Sequence, residues 1–257
     1  MKQNTLPILY QDDYMVAIDK PPGLLVHRTM LAKYETAFAM QMLRDQIGQH
    51  VYPVHRIDRP TSGILLFALS SDVAATMTAQ FTQQLIQKEY TAILRGHAAK
   101  GYKIDYPLAE IQDKYTDTKA RKGKPPQQAQ TELRCLQYYQ IPLPAGRYQS
   151  ARFSLVNLVP KTGRKHQLRR HMAHIRHPIL GDTTHGDGKQ NKFLRHHFNF
   201  ASLALTCTSI GFRHPVSNAV ITLSAPLHTN AQKLLNDWLP FSVMGKEELN
   251  TTKVINT

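Results

Sequence analysis

The stretch GILLFALSSDVAATMTAQFTQQLIQKEYTAILRGH, Gly63 to His97, decides the architecture. It opens with a continuously apolar run, Gly63 to Leu69, which suits a strand buried on both faces. Ser70-Ser71-Asp72 then offers capping oxygens to a helix expected to run to about Gln84. Within that helix Val73, Met77, Phe81 and Leu85 recur every four residues, a stripe meant for the core. Lys88 to His97 returns as a strand, with Tyr90, Ala92 and Leu94 alternating against Thr91 and Ile93. Buried strand, helix and strand in that order predict a mixed α/β core.

On the N-terminal side, Ile8 to Ile18 reads as two short strands around an Asp12-Asp13 turn. Lys20-Pro21-Pro22-Gly23 forces a turn, because proline fixes φ and glycine relieves the strain after it. Thr36 to Ile47 reads as a short helix with Phe38, Met40 and Met42 as apolar contacts. On the C-terminal side, residues 98 to 130 suggest a strand pair followed by a basic loop. Strands resume at Thr131 to Tyr139 and Ala151 to Leu158. A helix is expected over Arg164 to Arg176, ended by His177-Pro178. Short strands at Ser202 to Cys207 and Ala219 to Leu223 precede a last helix, Leu227 to Leu239. No internal repeat or linker divides the chain. A single domain over 1–243 is therefore expected, with a polar and mobile tail over 244–257.

Composition narrows the partners. Lysine and arginine number 32 against 18 acids, a formal charge of +14. Such a surface favours a polyanion, since basic residues gain affinity by releasing counterions from phosphates. A hydrophobic fraction of 42% is too high for a disordered basic tail. Two cysteines, Cys135 and Cys207, cannot form a disulfide framework and suit a reducing compartment. No signal peptide or bilayer-length apolar run is present, so a cytoplasmic protein without a membrane partner is expected.

Three places could carry chemistry. In His55-Arg56-Ile57-Asp58-Arg59-Pro60-Thr61-Ser62-Gly63, a carboxylate sits between two arginines on a loop entering the buried strand. Nearby positive charge favours the ionised form that a nucleophilic or electrostatic role requires. A structural ion pair explains the spacing equally well. In Lys161 to His171, KTGRKHQLRRH, and on to Gly181, six lysines and arginines occur without an acid. A solvated charged face is the usual reading of such a run, and the missing acids weaken it. Leu168, Met172 and Ile175 share a helix face at about 100° per residue. Arg169 lies at the margin of that face and must find a carboxylate, whereas Arg170 and Lys165 can stay wet and meet phosphate. Tyr90 reads first as packed core and second as a stacking platform for a nucleobase. A metal site is not expected: His171, His174 and His177 adjoin arginines, and neither H-E-x-x-H nor Cys-x-x-Cys occurs. Phosphate-binding glycine motifs are also missing.

Four motifs in order resemble those of the RluA-type RNA pseudouridine synthases. KPPGLLVH (Lys20 to His27) is similar to their first motif, and HRIDRPTSGILLFAL to the catalytic one. KEYTAILRG (Lys88 to Gly96) is similar to the tyrosine motif and KTGRKHQLRRH to the arginine motif; HPILGD, ending at Asp182, resembles the segment that follows. The resemblance implies an α+β fold, with a mixed, mainly antiparallel sheet core flanked by helices and no N-terminal RNA-binding module. It implies that Asp58 is the catalytic aspartate, Tyr90 stacks on the target base and Arg169 pairs with Asp58. Arg56 would enter the space of the extruded nucleotide. Arg59, Arg164, Lys165, His166 and Arg170 join Arg56 as expected RNA contacts. Ile57 stands where leucine is commoner, a buried aliphatic swap.

LRDQIGQHV (Leu43 to Val51) and HRTM (His27 to Met30) are most similar to the branch that modifies uridine 65 of tRNA, at the base of the T-stem. Ribosomal RNA is the alternative substrate. The isomerisation needs no cofactor, and a monomer acting on tRNA is expected. A non-catalytic RNA-binding protein or a histidine-based ribonuclease would use the same basic surface without altering uridine. The basic loop Lys119 to Lys124 and the stretch His185 to His197 receive no role from the motifs.

Overall fold

The structure, a computed structural model, describes residues 5–27, 35–111, 125–146, 148–244 and 252–256. Its strands are β1 (Ile8–Gln11), β2 (Met15–Lys20), β3 (Tyr52–Pro53), β4 (Ser62–Ala68), β5 (Gln87–Arg95) and β6 (Gly101–Asp105). They continue as β7 (Gln130–Ile141), β8 (Ala151–Pro160), β9 (Leu205–Arg213), β10 (Val220–Ser224), β11 (Ser242–Val243) and β12 (Thr252–Asn256). The helices are α1 (Ala39–Ile47), α2 (Ser71–Thr82), α3 (Gln167–His174), α4 (Gly188–Phe198) and α5 (Thr229–Trp238). The described residues fall into two compact units that alternate along the chain. One takes those within Met1–Lys88 and Cys207–Pro226, the other those within Glu89–Ile111, Lys122–Thr206 and Leu227–Thr257.

In the first unit β2 pairs antiparallel with β1 and with β4, and β3 pairs with the end of β4. β10 pairs antiparallel with β9 from Ser209 to Arg213. Every residue of β4 is buried, as its unbroken apolar run requires. Leu65, Phe67 and Leu69 pack with Val16, Ile18, Ala39 and Leu43 in one core cluster. Ser70 caps α2 by accepting a hydrogen bond from the Val73 amide at 3.3 Å. Val73 and Met77 are buried, but the expected stripe ends early and Leu85 is 58% exposed. The helix stops at Thr82, and Gln84 at φ 60° turns the chain before Leu85 can complete the face. Gly63 has φ 100°, and a Cβ there would fall inside the Cys207 backbone. Only glycine permits that close approach.

In the second unit β8 lies between β5 and β7, antiparallel to both. β6 and β11 pair antiparallel with β7. The mainly antiparallel sheet with flanking helices is the expected fold class. Trp238 of α5 is fully buried, stacked on Phe153 with ring centroids 4.4 Å apart. α3 is shorter than its apolar spacing suggests, because His166 adopts a left-handed φ of 55° and the helix begins only at Gln167. The unassigned stretch His185 to His197 holds all of α4 but its last residue, and the Lys189 and Gln190 amides of its first turn donate to the capping Asp187 carboxylate. The tail expectation needs correction: residues 252–256 form β12, which pairs parallel with β6. Val254 and Ile255 supply β propensity inside an otherwise polar segment. The basic loop over residues 119 to 124 lies outside the described residues. Among the described residues, no helix is long and apolar enough to cross a membrane.

Candidate active site

The Asp58 loop belongs to the first unit, between β3 and β4. Ile57 is buried, Asp58 is half-buried, and Arg56 and Arg59 are exposed. The KPPG turn braces this loop. The Lys20 side chain is fully buried, and its Nζ donates to the carbonyls of Pro21 (2.9 Å), Leu24 (2.9 Å) and Arg59 (3.1 Å). Three acceptors match the three N–H groups of an ammonium. Burial pushes this ammonium down to about 7, while the nearby Asp58 charge favours its protonated form. The Gly23 amide donates to the Arg59 carbonyl at 2.8 Å, and Arg59 Nε donates back to the Gly23 carbonyl at 2.9 Å. Arg59 also pairs with Glu35 at 2.5 Å. Thr61 N–H donates to the Asp58 carbonyl at 3.0 Å, closing a turn directly before the buried strand. The carboxylate is thus carried by a loop fixed at both ends.

His55 fixes the other side of the loop. Its Nε2 accepts from the Leu66 amide at 3.0 Å, and its ring stacks on Phe81 with centroids 4.7 Å apart. An imidazolium cannot accept a hydrogen bond, so the ring must be neutral. Burial, followed by the Lys88 charge, pushes it down to about 3.

The second unit holds Tyr90 on β5, buried and opposite Leu158. It also holds the basic group around α3. Arg169 is 4% exposed and grips Asp182, itself 1% exposed, through two hydrogen bonds. Nε donates to Oδ2 at 2.7 Å and Nη2 to Oδ1 at 2.8 Å. Burial alone would raise the Asp182 pKa; the Arg169 bonds and the His185 and Thr184 amides outweigh it and hold the carboxyl at about 2. The sequence asks for a carboxylate beside Arg169, and the resemblance names Asp58 for it; within the second unit the carboxylate that Arg169 grips is Asp182, which neither names.

Arg170 and Lys165 are less free than their helix positions suggest. Arg170 Nη1 donates to the Ala109 carbonyl at 2.9 Å and Lys165 Nζ to the Ile111 carbonyl at 3.4 Å. Arg164 Nε donates to the Gln128 carbonyl at 3.0 Å, and His166 Nδ1 meets His185 Nε2 at 2.9 Å. Gln167 orders the start of α3: it accepts from Thr162 Oγ1 and the Arg164 amide and donates to Gln130 O and Thr131 Oγ1. The spaced histidines serve packing. His171 Nε2 donates to the Tyr106 carbonyl and its Nδ1 meets Thr131 Oγ1; His174 stacks on Tyr106; His177 Nδ1 donates to the Arg95 carbonyl. Among the described residues, no three histidine, cysteine, aspartate or glutamate side chains converge as metal ligands.

The structure therefore brings Arg56, Asp58 and Arg59 together on one loop of the first unit. It gathers Arg164, Lys165, His166, Arg169 and Arg170 around α3 of the second, whose β5 carries Tyr90. The overall fold is that of solved pseudouridylate synthase domains. It resembles human RNA pseudouridylate synthase domain containing 1, with a TM-score of 0.67 at 21% identity, covering 93% of this chain and 96% of that one. Human RNA pseudouridylate synthase domain containing 4 gives the same TM-score at 25% identity, over 93% and 95%. The sequence matches the RNA pseudouridylate synthase family over residues 14–174. It is 52% identical to tRNA pseudouridine synthase C of Haemophilus influenzae, covering 91% of this chain and 98% of that protein. Its identity to tRNA pseudouridine synthase C of Yersinia pestis is 54%, over 86% of each. The chain belongs to the RNA pseudouridylate synthase family.

Proposed function

We propose that this enzyme converts uridine 65 of tRNA, at the base of the T-stem, to pseudouridine. The observation that carries the choice of substrate is identity of about half with proteins named tRNA pseudouridine synthase C, over nine-tenths of the chain. In this reading Asp58 is the reacting carboxylate, Tyr90 stacks on the uracil, and Arg169 is the guanidinium that pairs with the carboxylate. A uridine in a stem hides its glycosidic bond, so it must be extruded at a cost of a few kcal/mol. Arg56 fills the gap left in the stack. Asp58 then promotes cleavage of the N1–C1′ bond, by attack at C1′ or by taking the 2′-proton. The freed uracil turns against Tyr90, C5 bonds to C1′, and the C5 proton leaves while N1 gains one. Atoms and electrons balance without a redox partner, so the reading includes no cofactor or metal. It also includes a monomer working in the cytoplasm.

Arg56, Arg59, Arg164, Lys165, His166 and Arg170 are the proposed RNA contacts. The hydrogen bonds of Arg164, Lys165 and Arg170 to main-chain carbonyls hold these side chains in set directions, which favours defined phosphate positions over a loose cationic surface.

The test uses tRNA carrying tritium at uridine C5. Asp58→Ala is expected to bind this RNA with unchanged affinity and to release no tritium. Release at the wild-type rate would remove Asp58 from the reaction. Mapping pseudouridine in total RNA from cells with and without the protein separates the tRNA target from a ribosomal one.

A further inference from the structure

We propose that Asp182 is a positioning residue for the reaction, gripping the Nε–Nη2 edge of Arg169 and so setting where that guanidinium points. The inference rests on the reading that Arg169 serves catalysis, and adds to it a residue from the HPILGD segment. The Asp182 carboxylate is unusually well defined. Oδ2 accepts from Arg169 Nε, and Oδ1 accepts from Arg169 Nη2 and from the Thr184 and His185 amides, both at 2.9 Å. A planar guanidinium held by two parallel bonds cannot rotate about either one.

The main chain under this carboxylate is clamped as well. Asn191 of α4 is buried and bonds the main chain of two neighbouring residues: its Nδ2 donates to the Asp182 carbonyl at 2.8 Å, and its Oδ1 accepts from the Gly181 amide at 3.0 Å. Gly181 (φ 76°) approaches the Ser202 carbonyl, and Gly186 the Asp182 carbonyl, too closely for a Cβ. α4 is itself tied down, since its capping Asp187 also pairs with Arg95. The chain thus devotes a buried amide, two close backbone approaches and a capped helix to one carboxylate. A buried ion pair adds little net stability over apolar residues of similar volume. Orientation of Arg169 accounts for that investment, and it gives the unassigned stretch His185 to His197 a task.

The experiment compares single-turnover tritium release by Asp182→Asn, Arg169→Lys and the double variant, with tRNA affinity from filter binding and folding from thermal melts. Asp182→Asn keeps the volume and one acceptor but loses the charge and the paired grip. It is expected to slow release about 100-fold, as a displaced catalytic group does, with tRNA affinity unchanged. In the double variant Asp182→Asn should add no further loss to that of Arg169→Lys, because a residue acting through another is non-additive with it. A folded Asp182→Asn enzyme at the wild-type rate, or losses that multiply in the double variant, would overturn the proposal. If Asp182→Asn gives no cooperative melt, Asn191→Ala takes its place. That change spares the ion pair and loosens its base; about 10-fold slower release, absent in the Arg169→Lys background, is expected. The wild-type rate in Asn191→Ala would then overturn it. Arg169→Lys at the wild-type rate would instead remove Arg169 from the reaction. A slow Arg169→Lys beside a fast Asp182→Asn would remove only Asp182.

Discussion

His55 makes the first unit sensitive to acid. Its Nε2 accepts the Leu66 amide of the buried strand β4, so the folded protein needs the neutral ring. Unfolded, the imidazole titrates near 6.5; folded, burial pushes it down to about 3. Between these values the unfolded chain binds a proton that the folded chain refuses, so stability falls as the pH falls. The contribution is whole above about pH 7. By pH 5 the loss reaches about 2 kcal/mol, and by pH 3 about 4 kcal/mol, at roughly 1.4 kcal/mol for each pH unit crossed. The perturbation is His55→Gln, which can still accept from Leu66 but carries no titrating ring. At pH 7.5 the variant is expected to be about 1 kcal/mol less stable, through lost stacking on Phe81. Urea unfolding of both proteins from pH 7.5 to pH 4.5 measures the difference, in which all other titrating groups cancel. The two curves should cross between pH 6 and pH 5. Curves that stay parallel over that range would show that His55 is not held neutral and would refute the reasoning.

Two further predictions concern the bracing of the Asp58 loop. Lys20→Met takes the Nζ donor from the Pro21 and Leu24 carbonyls and one of two donors from the Arg59 carbonyl, and should lower the unfolding free energy by about 3 kcal/mol, with faster hydrogen exchange at the Gly23 and Thr61 amides. An unchanged urea midpoint would argue against the brace. Gly63→Ala combines a φ of 100° with a Cβ placed inside the Cys207 backbone, so a loss of about 3 kcal/mol or more is expected. A normal melting temperature for soluble Gly63→Ala would contradict the close approach.

Elements whose signals are local are legible in the sequence. The apolar run of β4, the serine cap of α2 and the alternation of β5 each rest on neighbours within a few residues. The stripe through Leu85 fails because a four-residue period cannot report where a helix stops, and Gln84 turns the chain there. The need of Arg169 for a carboxylate follows from its place at the margin of an apolar face. Its partner Asp182 does not follow, because that contact depends on the turn after α3 and on Asn191. Lys165 and Arg170 read as wet because helix geometry places side chains relative to the axis only. The carbonyls they meet, at Ile111 and Ala109, come from far earlier in the chain. Lys20 and His55 stand inside recognisable motifs, yet their tasks depend on burial that residue type alone does not predict. Polar residues obscure the strand at 252–256, since a sheet edge asks only for backbone pairing and a few β-prone side chains.

The alternation of the two units along the chain shapes how the enzyme can be born. The buried strand β4 leaves the ribosome early, but the Cys207 backbone that nestles against its Gly63 is synthesised only after nearly all of the intervening unit. At about 5–20 residues per second that delay lasts many seconds. Throughout it, a wholly apolar segment waits without the neighbour that will cover it, the kind of exposure that invites self-association. Nascent chains of this enzyme should therefore depend on sheltering by chaperones until the β9 segment arrives.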